Sequence, residues 1–295
     1  MEGCRICPRA CMADRDHGQK GYCGQTYELY VARAALHMWE EPCLSAKGGA
    51  GTVFFSGCNL RCIYCQNHEI AAGHAGKAIS IERLSEIFLE LQRKGAKNID
   101  LVTPSHYTPA IREALLLARQ GGLRVPVVYN CGGYESVETI KSLEGLIDIW
   151  MPDFKYADAG LAKSFSMAED YEETAKRALA EMVRQKPQTV FDGDGCMKEG
   201  VLVRHLVLPG HINNSKKVLS YLWETYKDRI CVSIMSQYTP VRESKDYPEL
   251  NRSLTKREYE KVLAHALKLG FTNAYIQEGR ADKKSFIPAF DLTGV

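Results

Sequence analysis

An α/β fold is predicted for this chain of 295 residues, from two observations. Apolar, strand-like runs alternate with amphipathic helical stretches about six times, the pattern of a parallel sheet covered by helices. The strand runs are apolar along their whole length, as strands buried on both faces are. Six convincing units are present where a closed barrel needs eight, so the expected form is a partial (β/α)6 barrel of the TIM type. A small amino-terminal, cysteine-rich, metal-binding knuckle precedes it, dividing the chain into residues 1–45 and 46–295.

In chain order the expected strands are Gly51–Gly57, Asn98–Thr103, Val125–Asn130, Ile147–Asp153, Val201–Leu208 and Ile230–Met235, with a shorter one at Ala274–Gln277. Between them, apolar residues recur at helical spacing over Ser80–Lys94, Pro109–Gln120, Ser136–Leu143, Tyr171–Gln185, Ser215–Tyr226 and Thr255–Leu269. A barrel of this kind carries its chemistry at the carboxyl ends of its strands, where loops vary without disturbing the core.

Composition bounds the function. With 45% hydrophobic and 25% charged residues the chain is long enough for a full core, and a net charge of +2 gives no reason to expect nucleic acid as a partner. No apolar run approaches the roughly 20 residues of a membrane span, and the first residues lack a signal-peptide pattern, so the expected location is the cytoplasm. Eleven cysteines in a reducing compartment at tight local spacings point to metal or iron–sulfur ligation rather than disulfides.

Cys58-Asn59-Leu60-Arg61-Cys62-Ile63-Tyr64-Cys65 follows the first expected barrel strand. Three thiolates in one short loop can hold three irons of a 4Fe-4S cluster and leave the fourth open. That iron can be chelated by the amino and carboxylate groups of S-adenosylmethionine (SAM), whose carbon–sulfur bond is then cleaved reductively, chemistry that side chains alone do not supply. Cys58, Cys62 and Cys65 are thus the expected catalytic centre.

The segment FFSGCNLRCIYCQN resembles the radical SAM signature, and in particular that of the activating enzymes of glycyl-radical enzymes such as pyruvate formate-lyase. The pattern CxxCPRxC, VARAxLHxWEEPC and FFSGCNLRCxxCQN, spanning residues 4–67, is similar to the PflX-like branch of those activating-enzyme homologues. The resemblance implies a glycyl-radical enzyme as protein or peptide substrate and a flavodoxin- or ferredoxin-type electron donor. It also implies that Lys155 contacts the SAM carboxylate and that Asp153 helps bind a monovalent cation. Arg204, a charge inside an apolar strand, needs a partner; the resemblance offers the SAM carboxylate, an internal Asp or Glu being the alternative. Asn130 matches a segment used for SAM and cation contacts, without that segment's acidic residue. At Thr103-Pro104-Ser105-His106 the chain departs from the family's Gly-Gly-Glu, leaving Thr103 and Ser105 to meet the SAM ammonium with hydroxyl or carbonyl oxygens. His106 is either a proton relay or a structural histidine, and Gln237 and Tyr238 are either near SAM or ordinary loop residues.

Cys4, Cys7, Cys11 and Cys23 bring four thiols into 20 residues, a spacing suited to zinc or to a second iron–sulfur cluster. Cys43 is either an extra ligand or redox residue or, on the simpler reading, a buried thiol like Cys196 and Cys231. The leading function is activation of a glycyl-radical enzyme by hydrogen abstraction from glycine. Radical modification of a different peptide or of a small molecule is the alternative, and a non-catalytic iron–sulfur carrier or zinc-dependent RNA-binding module is the remote one.

Overall fold

A computed structural model describes residues 3–45, 48–73, 75–277 and 288–295. Its strands are β1 (Leu29–His37), β2 (Ala50–Phe55), β3 (Lys77–Ile79), β4 (Ile99–Val102), β5 (Val127–Cys131), β6 (Ile149–Pro152), β7 (Val190–Phe191), β8 (Met197–Leu206), β9 (Cys231–Met235) and β10 (Ala274–Ile276). The helices are α1 (Pro42–Ser45), α2 (His68–Ala71), α3 (Ile81–Arg93), α4 (Thr108–Gln120), α5 (Val137–Ser142), α6 (Ala159–Ser166), α7 (Tyr171–Gln185), α8 (Ile212–Tyr226) and α9 (Lys256–Leu269).

The sheet runs β10-β9-β8-β6-β5-β4-β2-β1-β3, with β7 paired to β8. From β2 to β10 every neighbouring pair on this path is parallel, and spatial order follows chain order. Each crossover therefore moves one strand in the same direction, and right-handed crossovers then put all the helices on one face, as in a barrel and unlike a doubly wound sheet. The sheet is open, as the partial-barrel expectation requires: β10 and β3 stand at opposite edges among the described residues.

Three strands extend the expected set. β1 is rich in alanine, a helix former with weak strand preference, and is held extended by antiparallel pairing from Val31 opposite Phe55 to His37 opposite Ala50. It lies on the amino-terminal side of the 45/46 boundary yet belongs to the main sheet. β3 and β7 are short edge pieces paired with β1 and β8.

The side-chain period of two divides each strand between two environments. Outward residues such as Leu101, Tyr129, Trp150, Val203 and Val232 pack with the helices in the main core. Inward residues Val128, Ile149, Met151, Leu202 and Cys231 pack around Cys43 and Leu44 of α1. The β1–β2 connection thus folds back into the barrel and fills the inner face, where the Leu44 carbonyl accepts a 2.8 Å hydrogen bond from Asn98 Nδ2. Continuing the inward series by two residues reaches Asn130, Asp153, Arg204 and Ser233, so the fold aims these polar groups into the barrel.

Candidate active site

The loop after β2 starts at Gly57, whose φ of +91° favours glycine; a Cβ there would also meet the Cys23 carbonyl oxygen at 2.8 Å. Three anchors set the loop: Cys58 N donates to Cys23 O (3.3 Å), Ile63 N to Phe165 O (2.9 Å) and Cys65 N to Cys62 O (3.1 Å). Leu60 is buried in the core, and Asn59 Nδ2 donates to Tyr134 O at 2.7 Å. Cys58, Cys62 and Cys65 are left partly exposed. Two of their sulfurs accept hydrogen bonds, Cys58 Sγ from Leu60 N at 3.4 Å and Cys62 Sγ from the Ser166 hydroxyl at 2.9 Å. Ser166 also meets the Tyr156 hydroxyl, which meets that of Tyr64, each at 2.7 Å. Burial and the neighbouring thiols push Cys65 up to about 12, with Lys155 opposing, so a bound cationic centre is what would keep these sulfurs as thiolates.

Lys155, Asp153, Arg204 and Asn130 come together beside this loop. Arg204 donates through Nε to Asp153 Oδ1 (3.0 Å), through Nη2 to Asn130 Oδ1 (2.6 Å) and through Nη1 to Glu40 Oε1 (3.1 Å). Lys155 Nζ donates to the second Asp153 oxygen at 2.5 Å. Despite its burial, Asp153 lies below the ordinary carboxylate range, because both cations face it. Asn130 Nδ2 reaches Asp100 Oδ2 at 3.4 Å; desolvation, with Glu40 adding to it, holds Asp100 well above its usual value.

The other expected site residues are divided. Thr103 directly follows β4 with a φ of +59°, a strained value for a β-branched residue, and its N–H donates to Asn130 O at 2.8 Å. Ser105 is turned away from that group: it is buried and donates to Glu135 Oε1 at 2.7 Å. His106 is buried and donates through Nε2 to Ser56 O at 2.7 Å, and desolvation lowers it to about 3, so it is held neutral as a structural histidine. Tyr238 is buried with its hydroxyl on Leu250 O, whereas Gln237 lines a cavity and joins Gln66 and Gln277. Cys43, Cys196 and Cys231 are buried thiols.

The amino-terminal segment packs directly on the thiol loop. Arg9 donates to the carbonyls of Asn59 (2.8 Å), Met167 (2.5 Å) and Ser166 (3.0 Å), and Arg15 donates to His106 O at 2.8 Å. Cys4, Cys7 and Cys23 are buried and Cys11 is exposed. A Cβ on Gly21 would lie 3.3 Å from Cys11 Sγ and 3.5 Å from Cys23 Sγ. Among the described residues no three Cys, His, Asp or Glu side chains are grouped so as to hold a single metal ion as they stand. A cubane does not require such convergence, since its thiolates sit on separate irons; three partly exposed thiols on one loop, with hydrogen-bond donors and a lysine facing them, fit that group.

Glu40, Glu41, Asp100, Glu135 and Ser166 belong to this region without having been singled out in the sequence. Asp100 carried the same signal as Arg204, a charge inside an apolar strand. The two glutamates could be placed only once the β1–β2 connection was seen inside the barrel.

Residues 52–193, the stretch from β2 past β7, match the family model of the Radical SAM superfamily. The chain is 29% identical over 283 residues to the uncharacterized protein MJ0674 of Methanocaldococcus jannaschii, covering 93% of this chain and 77% of that protein. Among solved structures, Streptococcus suis SuiB bound to S-adenosylmethionine superposes with a TM-score of 0.51 at 13% identity, covering 75% of this chain and 48% of that one. HydG, a maturase of the [FeFe]-hydrogenase, gives 0.51 at 14% identity over 74% of this chain and 49% of that one. SuiB bound to its precursor peptide SuiA likewise gives 0.51 at 13% identity, with 75% and 46% covered. The chain spans about half the length of these solved structures, and at such identities they share its fold. Among the described residues no helix is long and apolar enough to cross a membrane.

Proposed function

We propose that the chain is a radical SAM enzyme that activates a glycyl-radical enzyme by abstracting hydrogen from a glycine of that partner. The observation that carries the first part is the thiol loop: Cys58, Cys62 and Cys65 lie in one loop at the carboxyl end of β2, with Lys155 close enough to act on the thiols electrostatically. When bound, a 4Fe-4S cluster and SAM supply one-electron cleavage of a carbon–sulfur bond, yielding methionine and a 5′-deoxyadenosyl radical. In this reading the three cysteines hold the cluster, Lys155 and Arg204 take the SAM carboxylate, and Asp153 orients both cations and serves a monovalent cation. Asn130 and Thr103 offer oxygens to the ribose or ammonium, whereas Ser105 supports the turn through Glu135. The glycine target is supported by the resemblance of residues 4–67 to the activating enzymes.

The cleft beside Cys62 and Cys65, where Lys20, Arg61, Arg242 and Lys245 outnumber Glu243 and Asp246, suits an acidic electron donor of the flavodoxin or ferredoxin type. Zinc or a second iron–sulfur cluster on Cys4, Cys7, Cys11 and Cys23 is part of the proposal, supported by their nearness and by how their segment buttresses Cys58. A cytoplasmic setting suits an oxygen-sensitive cluster and reduced thiols. A different peptide or a small molecule as target is favoured by one feature, Thr103-Pro104-Ser105 where the activating enzymes carry a carboxylate.

Anaerobic reconstitution, reduction with SAM present and chromatography of 5′-deoxyadenosine test the reading. Cysteine-dependent product is expected, and a glycine-centred radical signal should develop on adding a candidate glycyl-radical enzyme. Protein carrying an intact cluster that forms no 5′-deoxyadenosine would overturn it.

A further inference from the structure

Between the β1–β2 connection and the open edge of the barrel lies a cavity of about 440 Å³. One wall is Trp39, Glu40 and Glu41; the other is Ser233 of β9, Gln237 and Tyr275 of β10. This is the side on which a closed barrel would continue beyond β10. Arg204 lies in the lining, and through Asp153 it adjoins Lys155 and the thiol loop.

The cavity holds more acid than base. Glu40 and Glu41 line it, against the cation Arg204. Arg204 is ion-paired with Glu40 and Asp153, and Lys155 with Asp153. Glu41 is 7% exposed and forms no ion pair among the described residues. Burial drives its carboxyl up to about 7, with Arg204 only partly opposing. Ser233 is buried too, and its hydroxyl stands beside the Glu41 carboxyl. A buried carboxyl without an ion pair, with only a hydroxyl beside it, is a costly arrangement for a wall that faces nothing. The rim has the opposite character: Trp39 is 68% exposed, and Met38 and Ile276 are exposed beside it.

We infer that this cavity is a substrate subsite for an alkylammonium group, its charge meeting Glu41 and Ser233 and its methylene stem lying along Trp39, Met38 and Ile276. An ammonium carries three donors for the carboxylate, the hydroxyl and an amide oxygen of Gln237 or Gln277, and an aromatic rim favours both a stem and a cation. The inference rests on the radical SAM reading only for the statement that this ligand is the substrate.

The test uses the anaerobically reconstituted full chain with SAM saturating, so that the cofactor's own charge is already in place. Calorimetry compares Nα-acetyl-lysine N-methylamide with the uncharged Nα-acetyl-norleucine N-methylamide, and n-pentylamine serves as a free-amine arm. The lysine probe is expected to bind at least about tenfold more tightly than the norleucine probe, and Glu41→Gln to remove that preference. Pentylamine binding equal to the lysine probe would assign the site to small amines, and weaker binding would assign it to peptide side chains. Equal binding of the lysine and norleucine probes to wild type would overturn the inference whether or not the variant folds. So would a Glu41→Gln chain that binds SAM more weakly while keeping its preference for the lysine probe. 5′-Deoxyadenosine measured on the same preparation separates the two readings: cleavage without cation preference sinks the subsite alone, and cation preference without cleavage sinks the radical reading alone.

Discussion

The two cysteine groups of this chain lie side by side and are held in different ways. Cys58, Cys62 and Cys65 occupy a loop sprung from a central parallel strand, with donors on two sulfurs and a lysine facing them. Cys4, Cys7, Cys11 and Cys23 sit on a segment whose regular structure before β1 is one short 3-10 turn, Arg15–His17, fixed to the barrel by arginines reaching backbone carbonyls. The comparison teaches that spacing alone does not rank two cysteine motifs. What separates them is the frame: one group sits on a loop at the end of a central strand, the other on an irregular segment clamped by arginines, one of which, Arg15, also donates to Cys4 Sγ at 3.6 Å.

The largest effect that could break this comparison is on catalysis. Alanine at Cys58, Cys62 or Cys65 should reduce 5′-deoxyadenosine to background, whereas alanine at Cys4 or Cys23 should leave measurable cleavage and lower the metal content per chain. Equal loss from both groups would mean that they form one functional unit.

Next in size is a pH effect on the barrel side. His205 donates through Nδ1 to Phe154 O (2.7 Å) and contacts the Ser215 hydroxyl through Nε2 (2.9 Å), and burial lowers it to about 4. The unfolded chain takes up this proton near pH 6.5 and the folded chain resists until about 4, so its contribution is complete above 6.5 and is lost as the pH falls through that window. The stability advantage of wild type over His205→Gln should shrink by about 3 kcal/mol between pH 7 and pH 4, read by urea unfolding.

A smaller effect should come from the clamp between the regions. Arg9→Ala removes three hydrogen bonds from a guanidinium to carbonyls beside the thiol loop, and should cost about 2 kcal/mol while quickening amide exchange at Cys58 and Asn59. The smallest is electronic. Ser166→Ala removes the donor on Cys62 Sγ and should lower the reduction potential of the reconstituted cluster by about 40 mV in a spectroscopic titration, with Ser166→Thr restoring it. An unchanged potential would make Ser166 a packing residue only.

Much of the barrel was readable in advance because each parallel strand is an unbroken apolar run, and the thiol loop because its residues are local. Asn130, Asp153 and Lys155 were likewise readable as strand-end polar groups and Arg204 as a charge inside an apolar strand, although their mutual pairing was not. Harder to see was everything that depends on β1. Its alanines favour a helix in isolation, and only pairing with β2 keeps it extended, so Glu40 and Glu41 could not be located before that pairing was known. The direction of Ser105 was hidden for a similar reason: Glu135, 30 residues away in sequence, decides it.

The hairpin of β1 and β2 also bears on where this protein can be cut. A fragment limited to residues 52–193 would begin inside β2, stripping that strand's antiparallel neighbour and baring a row of unpaired amide and carbonyl groups. It would also lose Leu44 from against Val128, Ile149 and Met151, leaving an apolar concave face open to water. Such a piece carries the sticky edge and greasy patch from which aggregates grow. The boundary by which the domain is recognised in sequence is therefore not a boundary at which it could live alone.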